Sequence, residues 1–214
     1  MFLRLIVPVF LVLFNVGPLW AQVASGDYES LLIGMDPKNG TITGYYENFT
    51  GLDEASGKPR FSCIFYLRGS MEGAPPYKIE TWFPADKTRK NLISGTLTPA
   101  QADDGTASLK VELKQEHGGC WNVQHFADKG GAAFQLDTPG KWLAIRIVSA
   151  PKSYFHDDTA DSKKRKAYVV RGNPIRVYDA KPGWVNAEYA AEGGKTTSGW
   201  IKEADLYPAD PPAR

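Results

Sequence analysis

Ser108-Leu109-Lys110-Val111-Glu112-Leu113-Lys114 alternates apolar and charged side chains without a break. Successive side chains of an extended chain point to opposite faces, so Leu109, Val111 and Leu113 share one face while Lys110, Glu112 and Lys114 share the other. This predicts a strand of an antiparallel sheet with one buried and one wet face. The same pattern recurs outward from it. Residues 61–67 and 77–83 read as strands, and so do residues 142–148, where Leu143, Ile145 and Ile147 line one face. Residues 41–47 follow Asp36-Pro37-Lys38-Asn39-Gly40, whose proline and Asn-Gly pair suit a tight reversal, which predicts a hairpin. Residues 97–104, between Gly95 and Gly105, read as a loop with at most one helical turn. No segment sustains a helical apolar period over three turns, so the fold class is mainly all-β.

The amino terminus reads as a secretory leader over residues 1–21. Arg4 supplies the positive start, and an apolar run from Leu5 to Phe14 is broken by Asn15, Gly17 and Pro18. A membrane helix needs roughly 20 apolar residues, so this run is too short to stay as a span. Ala21 is the expected cleavage residue, with Gln22 opening the exported chain, and no cysteine is placed there for a lipid anchor. Localisation is therefore expected to be periplasmic or secreted. The chain has 25 basic and 24 acidic side chains, and loss of Arg4 with the leader balances them. That balance argues against a nonspecific nucleic-acid partner, which demands a basic excess. The dense run Lys163-Lys164-Arg165-Lys166 reads as solvated linker.

In an exported chain the two cysteines, Cys63 and Cys120, are expected to pair. Composition divides the remainder into a β-rich domain over residues 27–150, an antiparallel barrel or sandwich, a linker over 151–166, and a small barrel over 167–208. Tyr154-Phe155-His156 interrupts the polar linker with aromatics that either dock onto a neighbouring domain or contact a ligand.

In the last region, Tyr168 to Val177 runs strand, turn at Gly172, strand; Pro182-Gly183-Trp184-Val185-Asn186-Ala187-Glu188-Tyr189 supplies another strand; and Ser198-Gly199-Trp200-Ile201-Lys202, followed by Ala204-Asp205-Leu206, closes the series. This order resembles bacterial SH3-like domains. The resemblance implies a small β-barrel and, on family grounds, an association with cell-wall proteins. Asn173-Pro174 departs from the pattern, since proline removes a ladder donor and places that strand start at an edge. Trp184, Tyr189 and Trp200 are ligand-binding candidates beside Tyr154 and Phe155, because rings with a polar tip suit both sugars and peptides. Packing within so small a barrel competes for the two tryptophans. The first region is similar in general make-up to bacterial lysozyme inhibitors, with no motif that carries inhibitor residues over.

No catalytic residues, metal ligands or cofactor are expected. Glu116-His117-Gly118-Gly119-Cys120-Trp121, with His125 nearby, juxtaposes a thiol and imidazoles, but a bridged Cys120 is neither nucleophile nor ligand, and the spacing is no zinc pattern. Asp103-Asp104 and Asp157-Asp158 are adjacent, so on extended chain each pair diverges and cannot flank a glycosidic bond. Phosphate-cradling and serine-elbow motifs are lacking. The leading expectation is a non-catalytic binding protein for cell wall or a protein partner. The alternatives are an inhibitor or immunity protein against a wall-degrading enzyme, and a wall hydrolase targeted by its SH3-like module.

Overall fold

The computed structural model describes residues 23–83, 85–86, 92–191 and 193–210, so the leader read at 1–21 lies outside the described residues. Among the described residues fifteen strands follow in order: β1 (Gly26–Tyr28), β2 (Leu31–Asp36), β3 (Thr41–Asp53), β4 (Lys58–Ser70), β5 (Tyr77–Trp82), β6 (Ile93–Gln101), β7 (Ala107–Leu113), β8 (Ala132–Gln135), β9 (Thr138–Pro139), β10 (Ala144–Ile147), β11 (Lys152–His156), β12 (Lys164–Val170), β13 (Pro174–Lys181), β14 (Trp184–Ala190) and β15 (Thr196–Lys202). The all-β expectation holds. The first nine strands form a curled antiparallel half-barrel in the order β8-β7-β6-β5-β4-β3-β2-β1-β9, and the rest form a second sheet in the order β10-β13-β14-β15-β11-β12.

The opening stretch behaves as its alternation demands. Leu109, Val111 and Leu113 are buried while Lys110 and Glu112 are exposed. They join Ile33, Ile42, Leu67 and Leu97 in the core of the half-barrel, where Tyr46 stacks on Phe65 at 5.1 Å and meets the edge of Phe126 at 5.0 Å. The reversal at residues 36–40 joins β2 to β3, with Gly40 at φ 68° closing it through an N–H bond to the Asp36 carbonyl.

Residues 97–101, read as part of a loop, are strand, and only residues 102–104 fall in the turn between β6 and β7. β6 runs through Gln101 between β5 and β7, and Gly95 is pressed so closely on β7 that a Cβ there meets the Glu112 carbonyl oxygen at 2.5 Å. Pro99 is accommodated because β5 pairs with β6 only as far as Leu97, so at Pro99 the ladder runs on one side alone. Pro174 follows the same rule. It pairs with Ile147 of β10, and the ladder to β14 begins only at Arg176.

The division read from composition also differs from the fold. The strand at 142–148 belongs to the second sheet, where β10 pairs with β13. Within 151–166, read as linker, β11 and the start of β12 pair as an antiparallel hairpin, interrupted by a register shift between Tyr154 and His156. Lysines on β12 produce the polar composition because β12 is an edge strand, where charge blocks unwanted pairing.

The two sheets share a core of their own. Tyr45, Tyr66 and Trp82 from the outer face of the half-barrel pack with Trp142, Ile145 and Ile147. Three hydrogen bonds cross this junction. The Tyr66 hydroxyl donates to the Ile145 carbonyl at 2.8 Å, Ile145 N–H donates to Thr43 Oγ1 at 2.8 Å, and Trp142 Nε1 donates to the Ile33 carbonyl at 2.7 Å. Asp27 pairs with Arg176 at 2.7 Å at its margin.

Candidate ligand-binding site

The outer face of the second sheet gathers most of the aromatic candidates. Register sets this up: Tyr154 lies opposite Tyr168, His156 opposite Trp200, and Trp184 opposite Lys202. Alternation sends Phe155 the other way. It is fully buried with Val169, Ile175 and Ile201 in the core of the second sheet, so it fastens β11 rather than meeting solvent. Tyr154 and Trp184 are half-buried, Tyr168 is exposed, and Trp200 retains 9% exposure. Both tryptophans therefore sit on the outer face, although Trp200 is largely covered.

Each of these rings carries a lysine ammonium. Lys164 Nζ stands 4.3 Å from the centroid of Tyr154, Lys152 4.3 Å from Tyr168, Lys181 4.6 Å from Trp200, and Lys202 5.7 Å from Trp184. Such contacts contribute only about 0.5–1 kcal/mol at exposed sites, so a ligand can displace them from the ring face. The Trp184 ring also meets His156 edge-on at 4.8 Å. Between these groups lies a hollow of about 360 Å³ lined by Tyr154, His156, Asp161, Lys164, Lys202 and Asp205. The hydrogen bond from Lys202 holds the Asp161 carboxyl below its usual range. Ser153 Oγ donates to Asp205 at 2.7 Å and steadies the far wall.

Tyr189 lies elsewhere, on the opposite face of β14 and in a groove between the two sheets.

A third feature has no counterpart in the candidates read from sequence. The ends of β3 and β4 continue past their neighbours as a two-stranded arm, because β2 pairs only up to Tyr46 and β5 only with residues from Tyr66 onward. Phe49, Leu52 and Phe61 on this arm are exposed, and Trp121 beside its base is 63% exposed. The Cys63–Cys120 disulfide and the bond from Thr50 Oγ1 to the Asn122 carbonyl, 2.7 Å, tie that base together. The signal was legible as three apolar residues, Phe49, Leu52 and Phe61, flanking the charged hairpin tip.

The His and Cys cluster serves the fold. Cys120 is consumed by the bridge, and His117 is 5% exposed, stacked on Phe65 at 5.1 Å. Thr81 Oγ1 donates to the Ile93 carbonyl at 3.1 Å, so the 2.7 Å contact with His117 is a bond donated by Nε2–H to the hydroxyl. Burial disfavours the charged imidazolium and lowers the pKa of this ring to about 4. In the unfolded chain it titrates near 6.5, so between these values the unfolded state binds more protons and stability falls as pH falls. We expect a loss of about 2 to 3 kcal/mol from this group between pH 6.5 and 4, levelling off below that. Urea unfolding at stepped pH checks it, with His117→Gln flattening this interval. Asp104 and Asp158 are turn residues that accept the N–H groups of Thr106 and Thr159. Among the described residues, no group of three or more His, Cys, Asp or Glu is placed to hold a metal.

Fold and site together define an all-β, disulfide-bridged chain of two joined sheets with a lysine-capped aromatic face. The chain matches no family model, no curated protein and no solved structure.

Proposed function

We propose that the chain is an exported, non-catalytic binding protein that recognises the cell wall through the outer face of its second sheet, acting as an SH3-like module. The observation that carries this reading is the set of rings on one sheet face, each capped by a lysine. Wall polymers combine ring surfaces that stack on aromatics with carboxylates that pair with ammonium groups. Stacking displaces a lysine from its ring, and the freed ammonium remains close enough to meet the anionic substituent. The disulfide suits an oxidising compartment, in line with export.

Co-sedimentation of the chain from Gln22 with insoluble wall tests the proposal. We expect the protein to pellet, and the double variant Trp184→Ala, Tyr154→Ala to bind about tenfold more weakly, since each ring contributes about 0.5–1.5 kcal/mol beyond its buried area. Equal pelleting of both proteins rejects this face. A fragment beginning at Lys152 is unsuitable because it lacks β10, which covers one side of β13.

The arm favours a second reading, inhibition of a wall-degrading enzyme. Among the described residues, four of the eight large exposed hydrophobics, Phe49, Leu52, Phe61 and Trp121, gather on or beside it, and such clustering marks protein contact surfaces. Under that reading a lytic enzyme loses activity in the presence of the protein, and Phe61→Ser restores it.

A further inference from the structure

The groove between the sheets is built like a ligand site and is independent of the wall-binding face. It has a volume of about 520 Å³, within the range of roughly 300–1,000 Å³ typical of small-molecule sites. Tyr45, Ile64 and Ile147, members or close neighbours of the inter-sheet core, provide apolar lining. Phe83 and Pro174 add apolar surface, and Tyr189 and Tyr207 add rings with a polar tip. The bond from the Tyr66 hydroxyl to the Ile145 carbonyl and the bond from Ile145 N–H to Thr43 Oγ1 hold the two sheets together beside the groove.

Its charges are sparse and of opposite sign. Glu47 lies on β3 of the half-barrel and meets the Tyr45 hydroxyl. Arg171 comes from the turn before β13 and gives its Nε to the Ser149 carbonyl at 2.9 Å. That bond steadies the guanidinium while leaving its two terminal nitrogens as a fork for a carboxylate. Gly172, at φ 90°, and Asn173 complete this turn, and Asn173 Oδ1 accepts from Val170 N–H at 2.9 Å, which fixes the turn's shape.

We propose that this groove binds the carboxyl terminus of a short peptide whose last side chain is apolar. The terminal carboxylate engages Arg171, the last side chain lies against Ile64 and Ile147, and Glu47 accepts a backbone N–H further along the peptide. Charge complementarity selects this occupant: an uncharged apolar ligand gives the terminal nitrogens of Arg171 no anion to pair with, and a small anion leaves the apolar lining uncovered.

Calorimetric titration of the whole exported chain with acetyl-Ala-Ala-Phe, as free acid and as carboxyl-terminal amide, tests the assignment. We expect saturable binding of the free acid and at least about tenfold weaker binding of the amide, the loss of one charge-assisted pair. Arg171→Gln should bring the acid down to the amide, and Phe83→Ser should weaken both alike. Both substitutions are at exposed positions, and thermal melts confirm that each variant is folded. Wall co-sedimentation of Arg171→Gln should match the parent, which separates this site from the face above. No saturable binding of the acid at about 1 mM, the weak end of ligand affinity, overturns the proposal, as does equal affinity for acid and amide.

Discussion

Replacement of Gly34 by valine should cost about 4 to 5 kcal/mol and separate the two sheets, since large losses arise where overpacking and broken buried hydrogen bonds coincide. Gly34 lies on β2 beneath β10. A Cβ at this position meets Ala144 Cα at 2.5 Å, Ala144 C at 2.6 Å and Ile145 N at 2.8 Å. All of these are backbone atoms, so no side chain can turn aside and β10 itself must lift. Lifting it takes Ile145 away from both Thr43 and Tyr66 and leaves buried polar groups on both sheets unpaired. Urea unfolding checks the loss of stability. Tryptophan fluorescence reports the junction, because Trp82 and Trp142 are both buried there. Gly34→Ala should show the same effect with smaller amplitude, and wild-type stability in Gly34→Val shows that the junction yields.

Removal of the disulfide should have the second large effect. Cys63 and Cys120 are 57 residues apart, so the chain-entropy model assigns their closure about 4 kcal/mol. Both are fully buried against the half-barrel core, and their replacement by alanine in the double variant also leaves a small void. At roughly 2–4 °C per kcal/mol for a chain of this size, Tm should fall by about 8–16 °C. Calorimetry measures it. The arm should loosen more than the rest, because the bridge anchors its base, and hydrogen exchange of residues 48–62 should quicken ahead of the core strands.

Much of the first sheet was legible because its strands have one wet face. Leu109, Val111 and Leu113 alternate with charges, and the register of β7 follows from that alternation. The disulfide was legible from cysteine arithmetic, two cysteines in a chain read as exported. Sheet membership was not, since alternation at 142–148 predicts a strand but is silent on its partner, and Ile145 is buried on the half-barrel side of a strand that pairs with Val177 and its neighbours. Edge strands mislead composition: Lys164, Arg165 and Lys166 belong to β12, and their charge made a strand resemble a linker. β6 was obscured by Thr96, Thr98 and Pro99, which face solvent or a ladder that has ended on one side. At the candidate site, Tyr154 and Phe155 looked equivalent as neighbours, and the phase of β11 alone separates a surface ring from a core ring.

Lysine-reactivity footprinting in the presence and absence of insoluble wall tests whether the outer face of the second sheet meets the wall. Wall should protect Lys152, Lys164, Lys181 and Lys202, the lysines that cap the rings of the second sheet, while Lys58, Lys110 and Lys129 react as before. Protection confined to lysines of the half-barrel, or no protection at all, contradicts that contact.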